Sequence, residues 1–323
     1  MKTGAMLLAG LLGFAGTAAA QRFDGANAWL NSPPLAAAEL RGKVVLVDFG
    51  TYTCINWLHT LPYVRAWAEK YKGHGLVLVG VHTPEFEFEK DLDNVRRAVK
   101  DMRVSYPVAV DSNYAVWRAF SNNAWPAVYL LDAQGRVRFS HLGEGEYERT
   151  ERMIQQLLDE AGNGNIPRDV VLVEGHGIEA AADWANVKTP ETYLGARRGE
   201  NRVKAAATGL RLNQWSVVGD WKTRDDTIVL QKPSGRIALR FHARDVHLVM
   251  GPAARGSTVR YRVLIDGKPP VNAHGTDVDE QGYGTVTEQR LYQLIRQLQP
   301  IVDRTFEIEF IDPGVEAFVF TFG

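Results

Sequence analysis

The hydrophobic pattern of this 323-residue chain changes near residue 194, and this change constrains the fold more than any other feature. Between about residues 43 and 161, short apolar runs such as 44–47 and 76–81 alternate with segments of helical periodicity such as 58–72. Continuous apolar runs are typical of strands that are buried on both faces. The first half therefore predicts an α/β domain, with a mixed sheet and helices on both faces.

The second half follows a different pattern. Apolar and polar residues alternate with a period of two at 259–265, 305–310 and 318–322, and Asp-Gly and Pro-Gly pairs supply turns. Short alternating strands separated by turns are typical of an all-β sandwich or jelly roll. Glycines and a proline between 162 and 167 indicate a boundary. We expect the α/β domain over 21–162, a linker and the start of the second domain over 163–194, and the sandwich over 195–323.

The first twenty residues have the pattern of a signal peptide. Lys2 is followed by an apolar run at 5–15 and by small residues up to Ala20. This pattern predicts cleavage before Gln21, and the run is shorter than the roughly 20 residues of a spanning helix. No later segment approaches that length. We expect export to a bacterial periplasm, which is an oxidising compartment, and no membrane span in the mature chain.

Composition excludes several classes of protein. A hydrophobic content of 45% with a net charge of −1 argues against a disordered chain and against a broad nucleic-acid-binding surface. The single cysteine, Cys54, excludes an internal disulfide and a cysteine-rich zinc site. We predict neither a metal nor a cofactor.

Cys54 lies between a predicted buried strand and a predicted helix. The free N–H groups and the dipole of a helix N-terminus favour a thiolate, which is the reactive form. Free cysteine is also one of the most frequently buried residues, so an inert thiol is an equal alternative. A dimer linked through Cys54 is a third alternative, because an odd cysteine in an exported protein can pair between chains.

The segment VVLVDFGTYTCINW at 44–57 resembles the active-site segment of thioredoxin-like proteins. It is most similar to the exported part of DipZ-type cytochrome c biogenesis proteins, and more loosely to TlpA-like redoxins. Further matches are GVHTPEF at 80–86, WPA at 125–127, GEGEYER at 143–149, FHARD at 241–245 and GTVTEQRLY at 284–292. The resemblance implies a thioredoxin fold followed by a β-sandwich. It also implies thiol–disulfide exchange, with exported protein thiols or disulfides, or an external thiol reductant, as partners.

The resemblance also implies roles for single residues. Cys54 would be the nucleophile, and Asp48 would be a proton relay whose pKa is raised by burial. Pro126 matches the cis-proline that faces the active-site thiol in the family. The expected substrate-binding residues are Trp125, Pro126, Trp57 and Tyr52.

Two residues depart from the family pattern: Gly50 replaces a tryptophan, and Trp57 replaces the resolving cysteine. In dithiol exchange, a second thiol one helical turn away attacks the mixed disulfide and releases the product. Trp57 cannot perform this step. The sequence therefore predicts a monothiol activity that depends on an external thiol, or a form that traps its partners.

Two other functions are alternatives. In the first, the chain is a non-redox scaffold that binds a polypeptide or a glycan, and the Trp57 indole buries Cys54 and raises the pKa of its thiol. In the second, Thr51 and Cys54 belong to a one-cysteine peroxidase, although the proline expected four residues before Thr51 is Val47.

Two further expectations concern exposure. The segment 85–90 is predicted to be the solvated start of a helix over 86–102. Trp184, Trp215 and Trp221 are predicted to be core residues and not a sugar-stacking surface.

Overall fold

The computed structural model describes residues 22–204 and 207–323, so the predicted signal peptide and its cleavage site lie outside the described residues. The described residues group into two compact units. The first contains the residues up to Gly50, Val64–Thr83 and Ser105–Val171. The second contains Thr51–Tyr63, Pro84–Val104 and Leu172–Gly323. Within 22–204 and 207–323, no helix has the length and apolar character needed to cross a membrane.

The first unit contains one mixed sheet of six strands. The strands are β1 (Ala28–Leu30), β2 (Val44–Gly50), β3 (Leu76–His82), β4 (Val108–Val110), β5 (Ala127–Leu131) and β6 (Val137–Leu142). Their order across the sheet is β1-β4-β3-β2-β5-β6. The neighbours of β3 run parallel to it, and the other pairs are antiparallel. The predicted mixed sheet is confirmed.

The described residues contain five α-helices. They are α1 (Ala37–Leu40), α2 (Ile55–Tyr71), α3 (Leu92–Asp101), α4 (Ala115–Ala119) and α5 (Tyr147–Glu160). All seven residues of β2 are buried, as expected for a strand that is covered on both faces. Leu40 of α1 and Val116 of α4 share a hydrophobic cluster with Val47, while α5 contacts β2.

The predicted helix over 86–102 begins later than expected. A 3₁₀ turn at Glu87–Lys90 comes first, and α3 starts only at Leu92. The carboxylate of Asp91 accepts hydrogen bonds from the backbone N–H groups of Asp93 and Asn94, at 2.8 and 3.4 Å. Asp91 therefore caps α3, and an N-cap residue has extended backbone that interrupts a continuous helix.

The second unit contains two antiparallel sheets. Its strands are β7 (Thr192–Tyr193), β8 (Trp215–Val218), β9 (Trp221–Thr223), β10 (Ile228–Leu230), β11 (Gly235–Phe241), β12 (Asp245–Pro252), β13 (Val259–Ile265), β14 (Tyr283–Val286), β15 (Arg290–Arg296), β16 (Arg304–Phe310) and β17 (Val315–Phe322). One sheet has the order β15-β12-β17-β10-β9, with β7 also paired to β17, and the other has the order β14-β13-β16-β11-β8.

A single hydrophobic cluster joins the two sheets of the second unit. Phe306 of β16 and Phe320 of β17 belong to different sheets, and their ring centroids lie 5.6 Å apart. Alternate residues of β11 and β16 belong to this cluster, such as Ile237 and Leu239 or Phe306 and Ile308, as the period-two pattern requires. The predicted all-β sandwich is confirmed.

Trp184, Trp215 and Trp221 differ in exposure. Trp215 is buried, and Trp221 is partly buried against the core, as predicted. Trp184 is 58% exposed, so its assignment to the core is wrong. It lies in a turn outside both sheets, where no neighbouring strand covers the indole.

Candidate functional site

Cys54 caps the N-terminus of α2. Its N–H donates to the carbonyl of Thr51 at 3.1 Å, and its carbonyl accepts from the N–H of Leu58 at 3.0 Å, as the first hydrogen bond of the helix. The residue is half-buried. At an N-cap, the free N–H groups of the first helical turn can hydrogen-bond to the side chain.

Opposing effects act on the pKa of the Cys54 thiol. Burial raises the pKa of Cys54 well above its usual value, and the carboxylates of Glu191 and Glu85 raise it further. The backbone N–H groups of Trp57 and Asn56 lower the pKa, as expected at a helix N-terminus. The net direction is upward, so burial and negative charge outweigh the helix terminus.

A buried carboxylate holds the loop that carries the thiol. Oε1 of Glu89 accepts from the hydroxyls of Thr51 and Thr53, at 2.5 and 2.6 Å. Oε2 accepts from the backbone N–H groups of Glu85 and Phe86, at 2.6 and 2.9 Å. Burial raises the pKa of Glu89, and these four hydrogen bonds oppose that rise. One side chain thus joins the loop before Cys54 to the segment that begins at Glu85.

The prediction of a solvated segment at 85–90 is wrong. Phe86, Phe88 and Glu89 are buried. The rings of Phe86 and Phe88 lie 5.1 and 4.9 Å from the ring of Phe318, which belongs to β17. Aromatic burial decides the position of this segment. Glu85 and Glu89, which flank the two rings, accept hydrogen bonds in place of hydration, while Glu87 between the rings stays exposed.

Four polar side chains form a network that includes Glu85. Nη1 of Arg198 and the hydroxyl of Tyr193 both donate to Oε1 of Glu85, at 2.6 and 2.8 Å. The same hydroxyl lies 3.2 Å from Oε2 of Glu191. The Arg198 guanidinium lies 3.8 Å from the ring centroid of Tyr193. Burial raises the pKa of Glu85, and the neighbouring Glu89 carboxylate raises it further. Glu191 is exposed at the surface.

Two other predicted site residues lie in the same unit as Cys54. Tyr52 and Trp57 are both buried. The ring of Tyr52 packs edge-on against Phe88 at 6.2 Å, and burial raises the pKa of its phenol. Tyr52 also lines a cavity of about 400 Å³, together with residues of α3 such as Arg97.

The remaining three predicted site residues lie in the first unit. Asp48 is buried on β2, opposite Val128 of β5. The peptide bond between Trp125 and Pro126 is cis, as the family resemblance implies. The indole Nε1 of Trp125 donates to the carbonyl of Thr83 at 3.1 Å.

Sequence reasoning did not identify the polar residues around the thiol as site residues. Glu191 and Glu85 act on the thiol through their charge, Glu89 binds the loop before it, and Tyr193 and Arg198 bind Glu85. The alternation of Glu and Phe in EFEFEK is a period-two signal of a segment with one buried face, and it could have indicated burial. No local pattern marks 191–198. In the part of the chain that the structure describes, no group of three or more His, Cys, Asp or Glu residues could hold a metal ion.

Two family models match the chain. Residues 42–137 match a model described as thioredoxin-like, and residues 189–323 match a model described as a thioredoxin-like C-terminal domain. The first match includes Cys54 and Asp48, and the second includes the strands of the sandwich.

Individual relatives and solved structures are also similar to this chain. Protein DipZ of Mycobacterium bovis is 34% identical over 317 residues, which cover 93% of this chain and 42% of DipZ. The thiol-disulfide oxidoreductase YkuV of Bacillus subtilis is 28% identical over 136 residues, or 42% of this chain and 91% of YkuV. A solution structure of a thioredoxin-like protein in the oxidised form has 29% identity and a TM-score of 0.39, and it covers 42% of this chain and 91% of that one. The chain spans less than half of the length of DipZ. It is a homologue of DipZ that combines a thioredoxin-like domain with the thioredoxin-like C-terminal domain.

Proposed function

We propose that this chain carries out thiol–disulfide exchange through Cys54 alone, with an external thiol in place of a resolving cysteine. The position of Cys54 at the N-cap of α2 carries the proposal, because the N–H groups of Asn56 and Trp57 act to stabilise a thiolate there. The similarity to YkuV, a thiol-disulfide oxidoreductase, supports the same chemistry. The residue one helical turn further on is Trp57, which cannot form a disulfide with Cys54.

The exchange proceeds in two balanced steps. The Cys54 thiolate attacks one sulfur of a substrate disulfide, a bond forms between Cys54 and that sulfur, and the other sulfur leaves as a thiolate that takes up a proton. An external thiolate then attacks the substrate sulfur of the mixed disulfide. The Cys54 thiolate is released, and the substrate sulfur ends in a disulfide with the external thiol. No net oxidation or reduction of Cys54 occurs.

The test uses a protein disulfide as the substrate and reduced glutathione as the external thiol. The wild-type chain should form a mixed disulfide that mass spectrometry assigns to Cys54, and glutathione should release it. Trp57→Ser is the matched control, because it changes the residue one helical turn away and leaves the Cys54 thiol in place. If the wild-type chain exchanges no faster than Cys54→Ser, the proposed function is wrong.

We also propose that the chain is exported to the periplasm, where exported proteins would be its partners. The sequence pattern at 1–20 supports this location. Expression of the full chain followed by periplasmic extraction and N-terminal sequencing should give a protein that begins at Gln21. A chain that retains Met1 and stays with the membrane fraction contradicts cleavage.

A second candidate function is a scaffold that binds a polypeptide without redox turnover. The raised pKa of the Cys54 thiol favours it, because a neutral thiol is a poor nucleophile. The two functions differ in their reaction with a small disulfide at pH 9. Formation of a mixed disulfide supports exchange, whereas an unreactive thiol in a folded chain supports the scaffold.

A further inference from the structure

The turn between β11 and β12 organises one end of the sandwich. Nη2 of Arg244 donates to the carbonyl of Ala181 at 2.8 Å. The carbonyl of His242 accepts from the N–H of Lys188 at 3.0 Å. The turn thus holds both ends of the loop between Ala181 and Lys188, and this loop carries the exposed indole of Trp184.

The loop between β15 and β16 is held by the same turn. The N–H of Gln297 donates to the carbonyl of Arg244 at 2.7 Å. Two side chains of this loop, Leu298 and Val302, are 60% and 41% exposed. Two loops that are far apart in the sequence therefore expose apolar side chains around one turn.

Two more loops reach this end of the sandwich. The N–H of Asn213 donates to the carbonyl of Arg240, near the end of β11, at 2.8 Å, and Leu212 beside it is 38% exposed. The N–H of Asp266, just after β13, donates to the carbonyl of Thr305 at 2.8 Å. We call this region the β11–β12 end, and it comprises residues 181–188, 211–213, 242–244, 266–268 and 297–303.

The carboxylates of the β11–β12 end have partners. Oδ1 of Asp303 lies 2.6 Å from Nδ1 of His242, and Oδ2 of Asp266 lies 2.7 Å from Nη1 of Arg304. Asp183, in the loop that carries Trp184, accepts from the side-chain amide of its neighbour Asn186 at 2.8 Å.

Several basic side chains of the same end are not paired. Among the residues that the structure describes, three exposed cations at this end form no ion pair, namely Lys188, Arg211 and Lys268. The opposite end of the sandwich differs, because Lys232 pairs with Asp220 at 3.1 Å and Arg260 pairs with Asp312 at 2.9 Å. The β11–β12 end therefore combines exposed apolar side chains with uncompensated positive charge.

This combination indicates a lipid surface. Tryptophan prefers the interface between water and lipid, where its ring is buried and its N–H stays hydrated. Basic side chains beside an apolar group bind the phosphates of anionic lipids. Fluid lipid also adapts to side chains on separate loops, so binding requires no preformed groove.

We propose that the β11–β12 end binds the surface of a bilayer that contains anionic phospholipids. Trp184, Leu298 and Val302 enter the interface, and Lys188 and Lys268 bind lipid phosphates. The chain lies on the surface and does not cross it. This binding is separate from the proposed function, because it involves no thiol.

Sedimentation of the full chain with vesicles tests the proposal. The chain should bind vesicles of equal parts phosphatidylcholine and phosphatidylglycerol at least about tenfold more tightly than vesicles of phosphatidylcholine alone, which carry no net charge. Trp184→Ala should weaken binding to the mixed vesicles about tenfold, because the indole no longer enters the interface. Lys188→Ala should weaken it about fivefold, and only where phosphatidylglycerol is present.

Two matched controls lie at the opposite end of the sandwich. Val218 is 61% exposed, and Lys232 is exposed and paired with Asp220. Val218→Ala and Lys232→Ala should each bind the mixed vesicles within about twofold of the wild type. All of these proteins have the same N-terminal segment, so a difference between variants reports the β11–β12 end.

Tryptophan fluorescence locates the contact. Mixed vesicles should shift the emission of the wild type to shorter wavelength, and lipids brominated on their acyl chains should quench it. Trp184→Phe should abolish both effects. A wild-type chain that stays in the supernatant, or a Trp184→Ala variant that binds as the wild type does, overturns the proposal. Dimers in sedimentation equilibrium that Trp184→Ala dissociates also overturn it, because a second copy would then cover this end. No outcome depends on Cys54, so these results are distinguishable from a failure of thiol–disulfide exchange.

Discussion

The carboxylate of Glu89 accepts a hydrogen bond of 2.6 Å from the hydroxyl of Thr53, the residue that precedes Cys54. The same carboxylate binds two backbone N–H groups of the segment at 85–86. A fully buried group that satisfies four donors is costly to remove, because each donor loses its partner away from water. The stability of the loop before the thiol therefore depends on a residue that lies 36 positions after Thr53 in the chain.

The first prediction concerns this residue. Glu89→Ala should lower the free energy of unfolding by about 3 kcal/mol or more, since buried donors lose their acceptor. Glu89→Gln should cost about 1–2 kcal/mol, because its carbonyl can still accept from the backbone while its NH₂ donates to the threonine hydroxyls. Urea denaturation of the three proteins measures the difference. An alanine variant within about 0.5 kcal/mol of the wild type would contradict the role of Glu89.

The second prediction concerns the missing resolving thiol. Trp57→Cys places a second thiol at the spacing that dithiol exchange uses, one helical turn after the nucleophile. We expect the variant to reduce insulin disulfides at least about tenfold faster than the wild type in the presence of dithiothreitol. The double variant Trp57→Cys, Cys54→Ser should lose this gain. A single variant that is folded but inactive would indicate that other parts of the site, such as Gly50, also prevent turnover.

The third prediction concerns the aromatic contact behind the segment at 85–90. Phe318 is buried and touches the rings of both Phe86 and Phe88. Phe318→Ala should lower the free energy of unfolding by about 3–5 kcal/mol, because it removes a buried ring and leaves a cavity. Val218→Ala, at an exposed position, should change it by less than about 0.5 kcal/mol. Equal effects of the two substitutions in thermal or urea unfolding would show that the aromatic contact contributes little.

The fourth prediction is a pH dependence of stability. Burial lowers the pKa of His247 to about 4, with Asp245 opposing the change and His59 and Arg296 adding to it. The unfolded chain takes up a proton on this residue near pH 6.5, whereas the folded chain takes it up only near pH 4. His247 therefore destabilises the fold progressively as the pH falls from about 6.5 through 4, by up to about 3 kcal/mol.

The measurement compares the free energy of unfolding of wild type and His247→Gln between pH 7 and 4. The difference between the two should shift in favour of the variant as the pH falls, since glutamine takes up no proton. The same substitution at the exposed His176 is the control and should give a flat difference. A flat difference for His247→Gln as well would contradict the depressed pKa.

Local patterns in the sequence determined the α/β domain, the β-sandwich and the position of Cys54 between a strand and a helix. The apolar run at 44–47 predicts a strand buried on both faces, and the period-two alternation at 305–310 predicts a strand with one face in a sandwich core. Both are confirmed in β2 and β16. These predictions succeed because side-chain periodicity is a property of neighbouring residues and needs no knowledge of the rest of the fold.

Only the tertiary structure decided which polar groups bind one another in the unit that contains Cys54, and which effect dominates the pKa of its thiol. Tyr193 and Arg198 bind Glu85 from 108 and 113 positions away, and no local pattern records such pairs. The charge of 85–90 indicated solvent exposure, but the ring of Phe318 covers its phenylalanines. A helix N-terminus alone lowers the pKa of a thiol, whereas burial and neighbouring carboxylates raise it. Burial depends on how the whole chain packs. The sequence therefore identifies the opposing effects on the pKa of the thiol, but only the fold determines which effect is larger.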